Sequence, residues 1–364
     1  MISYLLPTRD RPDRLRQTLQ ALDRLPLEAH RGVGGAEVVV VDDASGAPPE
    51  LAGALPNGMP VRLVRLSRRR GAAARNAGVD IARGTWVVML DDDSHPLDAG
   101  LVDVIAHAPA NVAAIGAEIL LPDGRHEDGG LPEVFVGCGA ALRREAFLQV
   151  GGYDGDFDYY AEEYDFCAKL ILADWQIIHD LRFRVLHHKS ADGREMNRIL
   201  HNLVRNNGWI VRRYAPDAEY EAARRDLVER YSVIAAHEHA GRGFRRGLEE
   251  LRVTLPGQPR RQMPRPLWDR FTGLAQVRAA LAGQPLLRGA RVAVVDEGKN
   301  AWVVRRVLAD LGCGEVSDVQ DAEVLVVGTL SPGPMLDASR RRADDGRPVI
   351  LPWRPRGAGG GRPA

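Results

Sequence analysis

Short apolar runs alternate along this chain with segments whose apolar positions recur every three or four residues, the two periods that mark strands and helices. Residues 2–6 predict a buried strand halted at Pro7, after which Asp10-Arg-Pro-Asp13 opens a helix with Leu15, Leu19 and Leu22 on one face. Residues 37–41 predict a second strand ending on Asp42-Asp43-Ala44-Ser45, and residues 61–66 a third. The small-residue-rich segment 71–82 predicts a helix, broken by Gly84 before the strand 85–90. Strands alternating with helices predict parallel βα units, hence an α/β fold with a mostly parallel, Rossmann-like sheet flanked by helices.

Further along, residues 97–107 predict a helix, 113–121 a strand closed by Pro122-Asp-Gly124, and 134–142 an extended stretch. Helices at 144–150 and 161–173 flank the turn Gly151-Gly-Tyr-Asp154, and residues 177–188 return as an extended segment. Residues 194–255 are charged and helical in pattern, with Leu200, Leu203, Trp209 and Ile210 as buried positions. Pro256, Pro259, Pro264 and Pro266, set among arginines, mark a linker. A second, smaller α/β unit begins at Arg288. The expected division is 1–193, an α/β domain; 194–255, a helical extension; 256–287, a Pro/Arg-rich linker with a short helix; 288–353, a small Rossmann-like domain; and 354–364, a disordered tail rich in Gly, Pro and Arg.

Composition narrows the partners. The chain of 364 residues balances 49 basic against 49 acidic side chains, so its net charge gives no reason to expect nucleic acid. Cys138, Cys167 and Cys313 are widely spaced and odd in number, which predicts a reduced, cytoplasmic protein without a cysteine metal site. No apolar stretch reaches membrane-spanning length. Segment 242–252 interleaves arginines with apolar residues, a pattern shared by solvated helices and by helices touching an anionic surface at the inner face of a membrane.

The chemistry gathers at predicted strand ends. Asp91, Asp92 and Asp93 follow the apolar run 85–90, where open α/β sheets place ligands. Three crowded carboxylates repel one another unless a cation or donors compensate, and a hard divalent ion is the simplest compensator. Asp91 and Asp93 are the metal-side candidates, with Asp92 free for a ribose hydroxyl. Asp43 stands at the tip of the second strand and Pro7, Thr8 and Arg9 at the tip of the first. Together they outline a crevice in which Asp43 can accept from a base N–H. In Arg70-Gly-Ala-Ala-Ala-Arg75-Asn76 the Arg75 guanidinium offers a planar fork to phosphate or base, with Arg70 and Asn76 beside it. Glu162-Glu163-Tyr-Asp165 opens a helix, where a carboxylate stays ionised and can take a proton from an incoming hydroxyl. His187 or His188 can complete a metal shell. Taken one at a time, each of these features also reads as a turn, a cap or a solvated face.

Their order carries more. Pro7-Thr8-x-Asp10-Arg-Pro12, Val-Val-Val-Asp42-Asp43-Ala-Ser45, Gly71 through Ala74-Arg75-Asn76-x-Gly78, Arg83-Gly84 and Leu90-Asp-Asp-Asp93 follow one another. They continue through Gly137-x-Gly139, Arg143-Arg144-x-Ala-Phe147, Gly151-Gly-Tyr-Asp154, Ala161-Glu-Glu-Tyr-Asp165, the histidine pair and Arg205-Asn206. The series resembles a family 2 glycosyltransferase of the GT-A fold over roughly residues 1–210. The resemblance implies inverting transfer of a sugar from a UDP-, GDP- or dTDP-linked donor to a hydroxyl of a glycan, lipid-linked or protein acceptor, with Mn²⁺ or Mg²⁺ bridging diphosphate and protein. It implies base recognition by Asp43, ribose and metal binding by the aspartate triplet, and a catalytic base at Glu163. Gly137, Cys138 and Gly139 fall in the loop that would meet the sugars. Two departures stand out. Glu163 occupies a position where the family usually has Asp, which keeps Glu162 and Asp165 open as alternative bases, and Arg69 replaces a usual Asn.

Two rival readings exist. Leu90-Asp-Asp-Asp-Ser94 also matches the motif of aspartate-nucleophile phosphatases, though the Asp42-Asp43 strand precedes it and no suitable lysine follows. A nucleotide-sugar-binding regulatory protein without activity would share the fold. In the last α/β unit, Val294-Val-Asp-Glu-Gly298-Lys-Asn has one glycine where a dinucleotide fingerprint has three, so a packing, homo-oligomerising or acceptor-recruiting role is expected there.

Overall fold

The computed structural model describes residues 1–189 and 195–357. Its larger sheet is formed by β1 (Ile2–Thr8), β2 (Ala36–Asp42), β3 (Val61–Arg65), β4 (Trp86–Met89), β5 (Ser94–Pro96), β6 (Val112–Leu120), β7 (Ala140–Arg143) and β8 (Gln176–His187). In space these run β3-β2-β1-β4-β7-β6-β8-β5. β1 pairs in parallel with β2 and β4, and β2 with β3, while β7 is antiparallel to both β4 and β6. This mixed, GT-A-like sheet is covered on both faces, so β1 and β2 are apolar at nearly every position rather than alternating.

Successive side chains of β1 still point to opposite layers. Leu5 joins Val39, Phe147 and Phe166 on one face, while Tyr4 and Leu6 join Val38, Leu15 and Leu22 on the other. The flanking helices are α1 (Pro12–Asp23), α2 (Ala74–Ile81), α3 (Gly100–Ala106), α4 (Arg144–Gln149) and α5 (Glu162–Leu172). Two expectations are corrected. Only residues 140–143 of the stretch 134–142 pair as a strand, because Leu131 and Val134 close a turn on each other instead. The helix expected from residue 97 starts at Gly100, because residues 94–96 are drawn into β5 against β8.

The single helical run expected over 194–255 is three helices, α6 (Met196–Tyr214), α7 (Asp217–His237) and α8 (Gly241–Thr254). Pro216 separates the first two, and His239, at φ 51°, turns the chain before the third. α6 and α8 cross closely at Gly243, where a Cβ would stand 2.0 Å from the Asn197 carbonyl oxygen. Within 256–287 lie α9 (Arg265–Thr272) and α10 (Leu274–Ala282), whose Trp268, Phe271, Leu274 and Val277 are buried in the same apolar cluster as α5.

The small unit comprises β9 (Arg291–Val295), α11 (Ala301–Asp310), β10 (Gly314–Glu315), β11 (Val324–Val327), α12 (Pro332–Arg341) and β12 (Val349–Ile350). Its sheet is all parallel, in the order β10-β9-β11-β12. Of the expected tail, Arg356 lies along β8, donating its N–H to the His179 carbonyl at 2.8 Å and accepting from the Leu181 N–H at 3.0 Å. Residues 358–364 of that expected tail lie outside the described residues. No helix among the described residues is long and apolar enough to cross a membrane.

Candidate active site

The triplet leaves β4 as a tight turn in which the Ser94 Oγ accepts from the Asp91 N–H at 2.8 Å and donates to the Cys138 carbonyl at 2.9 Å. The three carboxylates part company there. Asp91 is half-exposed and ion-paired with Arg75, a buried arginine on α2 whose Nε lacks a hydrogen-bond partner among the described residues. Asp92 is turned under the strand end. It accepts from Thr8 Oγ1 at 2.8 Å and pairs with Arg11 at 2.7 Å. Its burial pushes the carboxyl up to about 7, with Arg11 and Thr8 acting against that rise. The expected ribose role of Asp92 therefore meets a buried, already occupied side chain.

Asp93 pairs with Arg11 at 2.5 Å and lies 3.4 Å from His187 Nε2. Burial works against its charge, but His187 and Arg11 prevail and hold it at about 2. His187, at the end of β8, is bracketed a second time, by Glu127 at 2.8 Å from Nδ1. Desolvation opposes the imidazolium, yet Asp93, Cys138 and Glu127 raise it to about 12. His188 only donates its backbone N–H to the Asp93 carbonyl, its ring resting against His95, so His187 is the histidine of the pair that reaches the site.

These side chains form a candidate ligand group for a divalent ion. One donor atom each from Asp91, Cys138 and His187 lie within 4.8 Å of one another, with Asp93 against the same imidazole. Carboxylates and an imidazole suit Mn²⁺. The Cys138 thiol does not, because burial pushes it up to about 11 and keeps it a neutral, soft donor. Asp91, Asp93 and His187 are the candidate ligands, His187 only after losing the proton that Asp93 and Glu127 hold on it.

Opposite this group, α5 begins with Glu162 and Glu163. Glu163 Oε1 accepts the Gly137 N–H at 3.1 Å, and a Cβ at Gly137 would stand 2.8 Å from the same oxygen. Both carboxyls are raised above the usual range, burial being the first cause in each; Glu162 carries the repulsion of Glu163 besides. Glu162 is buried with Oε2 lacking a partner among the described residues, whereas Glu163 is half-buried. Asp165 faces away along the helix, committed to Arg213 at 2.9 Å, Tyr214 at 2.7 Å and Lys169 at 3.1 Å. Of the three acids Glu163 alone combines a raised carboxyl with an opening to solvent.

The approach to α5 is held in an uncommon backbone. Asp158, Tyr160 and Ala161 have φ of 58°, 73° and 66°, a region that disfavours side chains with a Cβ. Asn206 on α6 restrains it, its Nδ2 donating to the carbonyls of Phe157 at 2.9 Å, Tyr159 at 3.1 Å and Tyr160 at 2.6 Å.

Other expected contacts fall differently. Both Asp43 oxygens accept backbone N–H groups, from Arg70 at 2.6 Å and Gly71 at 3.0 Å, so Asp43 closes the 70–71 loop. A carboxylate retains further lone pairs for a base. Asn76 spends its amide on the Tyr153 backbone, at 2.9 and 3.0 Å, and so braces a turn instead of meeting a nucleotide. Arg9 is exposed beside Asp10, and Pro7 is half-buried. Gly139 packs on Ile119. Sequence reasoning passed over Glu127, Arg11 as a ligand of the triplet, and Asn206 as the holder of the 158–161 segment. Arg11 and Asn206 stand inside the ordered motif series, whereas Glu127 lies in the aperiodic 121–139 loop and carries no signal.

Residues 3–121 match the family model "Glycosyl transferase family 2". The succinoglycan biosynthesis protein ExoO of Rhizobium meliloti (strain 1021) is 43% identical over 94 residues, 24% of this chain and 27% of that protein. The O-antigen biosynthesis protein RfbC of Myxococcus xanthus is 25% identical over 232 residues, 53% of this chain and 18% of that one. This chain thus spans only a fraction of the length of either relative. Among solved structures, the mannosyltransferase PcManGT of Pyrobaculum calidifontis in complex with GDP-Man and Mn²⁺ superposes with a TM-score of 0.47 at 18% identity, covering 85% of each chain.

Proposed function

We propose, starting from a domain whose fold is that of the family 2 glycosyltransferases, that this chain moves a sugar from a nucleoside diphosphate to an acceptor hydroxyl with inversion. The observation that carries the reading is Glu163, a raised, half-buried carboxyl pinned on the Gly137 N–H within electrostatic reach of Arg75 and Asp91. Glu163 accepts the acceptor's proton as its oxygen bonds to the anomeric carbon and the bond to the diphosphate oxygen breaks. In such a direct displacement the anomeric configuration inverts. Asp91, Asp93 and His187 would hold Mn²⁺, which would supply positive charge against the departing diphosphate. Arg75 offers a fixed positive charge beside Asp91, and Asp43 and Thr8 line the nucleotide side. A raised pKa keeps Glu163 basic enough to take a proton near neutral pH.

The transferase chemistry is assigned to residues 1–193, with the acceptor a glycan, lipid-linked or protein hydroxyl reached on the cytoplasmic side. Membrane contact through α8 and self-association through the small unit belong to the same proposal.

The test is release of UDP, GDP or dTDP from a panel of nucleotide sugars by the purified chain with Mn²⁺. Glu163→Gln is expected to lose roughly 10²- to 10⁴-fold in turnover while binding nucleotide as before. Unchanged turnover in that variant refutes the base assignment, and no donor cleavage across the panel refutes the activity.

A further inference from the structure

The order in which strands are laid down in the small parallel sheet reverses at β9, which has β10 on one side and β11 on the other. In open α/β sheets such a reversal opens a crevice beyond the strands' carboxyl ends, the place where ligands bind. Here segments 296–300 and 328–331 leave those ends in close contact. Gly298 fits against Thr329, where a Cβ would stand 2.7 Å from Oγ1, and the Leu330 N–H donates to the Lys299 carbonyl at 3.0 Å. Asp296 and Asn300 adopt φ of 49° and 59°, and Asn300 Nδ2 reaches across to the Thr272 carbonyl at 2.8 Å. The first loop is thereby fixed in a form its side chains do not favour.

A cavity of about 330 Å³ opens at this crevice, between the small unit, α7 and α9. Tyr164, Trp268, Phe271 and Trp302 give it aromatic walls. Three cations line it, Arg230, Lys299 and Arg306, against two carboxylates, Glu219 and Asp226. Glu219 is taken by Arg265 from outside the cavity, and Asp226 lies 3.9 Å from Arg230. What remains is positive. Lys299 Nζ donates to the Tyr164 hydroxyl and stands 4.0 Å from the centre of its ring. Arg230 Nε is buried without a hydrogen-bond partner, and Arg306 has no ion pair among the described residues. Burial, with Arg230 adding to it and the Glu163 carboxylate only partly offsetting it, brings the Lys299 ammonium down to about 7, so an anion in the cavity favours its charged form.

We infer that this cavity is a binding site for a small aromatic carboxylate, its ring stacked between Trp268, Phe271 and Trp302 and its anion met by Lys299 and Arg306. Aromatic faces and a buried ammonium together select a flat body with one negative end, and a pocket of this volume is within the range that small ligands occupy. The cavity lies away from the β1–β4 strand ends, although Tyr164 of its wall follows Glu163 on α5 and Lys299 feels the Glu163 charge; ligand binding there does not require the transferase reading.

Titration calorimetry of the full chain with 2-naphthoate, and with the neutral 2-naphthamide, tests it. Saturable one-to-one binding is expected, with the amide weaker by roughly tenfold or more, because a charge-assisted contact is lost. Lys299→Met and Arg306→Gln are each expected to weaken naphthoate by roughly tenfold while leaving naphthamide unchanged, with circular dichroism confirming that both variants fold. Asp91→Ala is expected to bind naphthoate as the unaltered chain does. Absence of saturable binding, equal affinity for acid and amide, or wild-type affinity in folded Arg306→Gln overturns the inference. Loss of binding in Asp91→Ala would move the ligand to the strand-end site and overturn it equally.

Discussion

Gly137 shows how little room the candidate base has. Its missing side chain lets Glu163 sit on the 137 N–H, and any Cβ there would push into the carboxylate at 2.8 Å. Gly137→Ala is expected to lower kcat by about 10²-fold, the cost of a misplacement near 1 Å, with the donor KM little changed. Steady-state kinetics of nucleotide release reads that split, and a loss confined to KM would contradict it. A second single residue sets an acid limit. His179 is buried under β6 and Trp353, its Nε2 donating to the Leu131 carbonyl at 3.0 Å and its Nδ1 lacking a partner among the described residues. Burial lowers it to about 4. The folded chain keeps His179 neutral to that pH, while the unfolded chain takes a proton near 6.5. Unfolding therefore binds a proton between about pH 6.5 and 4, and stability falls as pH drops through that window. Urea titrations should show a shallower decline there for His179→Leu than for the unaltered chain. These residues also show what one sequence conveys. Glu163, Asp91, Asp93 and Arg75 were legible because each stands at the end of a periodic element. The inward turn of Asp92 was not, since it depends on Arg11 and Thr8 arriving from another strand end.

At the level of elements, strands were the most readable part, because burial on both faces writes a continuous apolar run. β5 escaped notice: the three residues Ser94-His95-Pro96 have no period, and they pair only because β8 extends far enough to receive them. The helical extension failed in the opposite way. Helical composition continues past Ala215 and His239, and only Pro216 and a left-handed turn break it. The segment 158–161 is the element on which the site most depends. Backbone strain there costs of order 1–3 kcal/mol per residue and persists only while something opposes its release. Asn206 is that restraint, with its amide donating to three carbonyls. Asn206→Leu is expected to destabilise the fold by roughly 1–3 kcal/mol, since the Tyr159 and Tyr160 carbonyls lose their Asn206 donor while Phe157 keeps Arg205 at 3.2 Å. A Tyr160→Gly, Ala161→Gly background should recover part of the lost stability, read by urea unfolding, by making the left-handed turn easier to adopt. No recovery would mean that Asn206 acts on packing alone.

Across the whole molecule, the small unit is tied to the loop that supports the candidate metal ligands. Asp337 on α12 grips His126 twice, accepting its backbone N–H at 3.1 Å and pairing with Nδ1 at 2.6 Å, while Glu118 stands 3.0 Å from Nε2. Gly333, on the same helix, meets the Glu127 carbonyl so closely that a Cβ would stand 2.2 Å from it. Glu127 is the neighbour of His126 and the carboxylate that orients His187, so α12 supports a histidine far from it in sequence. Burial opposes the His126 charge, but Glu118 and Asp337 together raise its pKa. That contribution to stability is complete below the unfolded value near 6.5 and is lost as pH rises through the folded one. Outer contacts of this kind change metal affinity by about 10- to 100-fold when they touch the ligand itself, and by less when one residue further removed. Asp337→Ala is accordingly expected to weaken Mn²⁺ binding by roughly three- to tenfold, read by quenching of protein fluorescence or by electron paramagnetic resonance of free Mn²⁺. If Asp337→Ala binds Mn²⁺ like the unaltered chain yet melts earlier, the small unit supports only the fold, and the link from α12 through Glu127 to His187 transmits nothing to the metal.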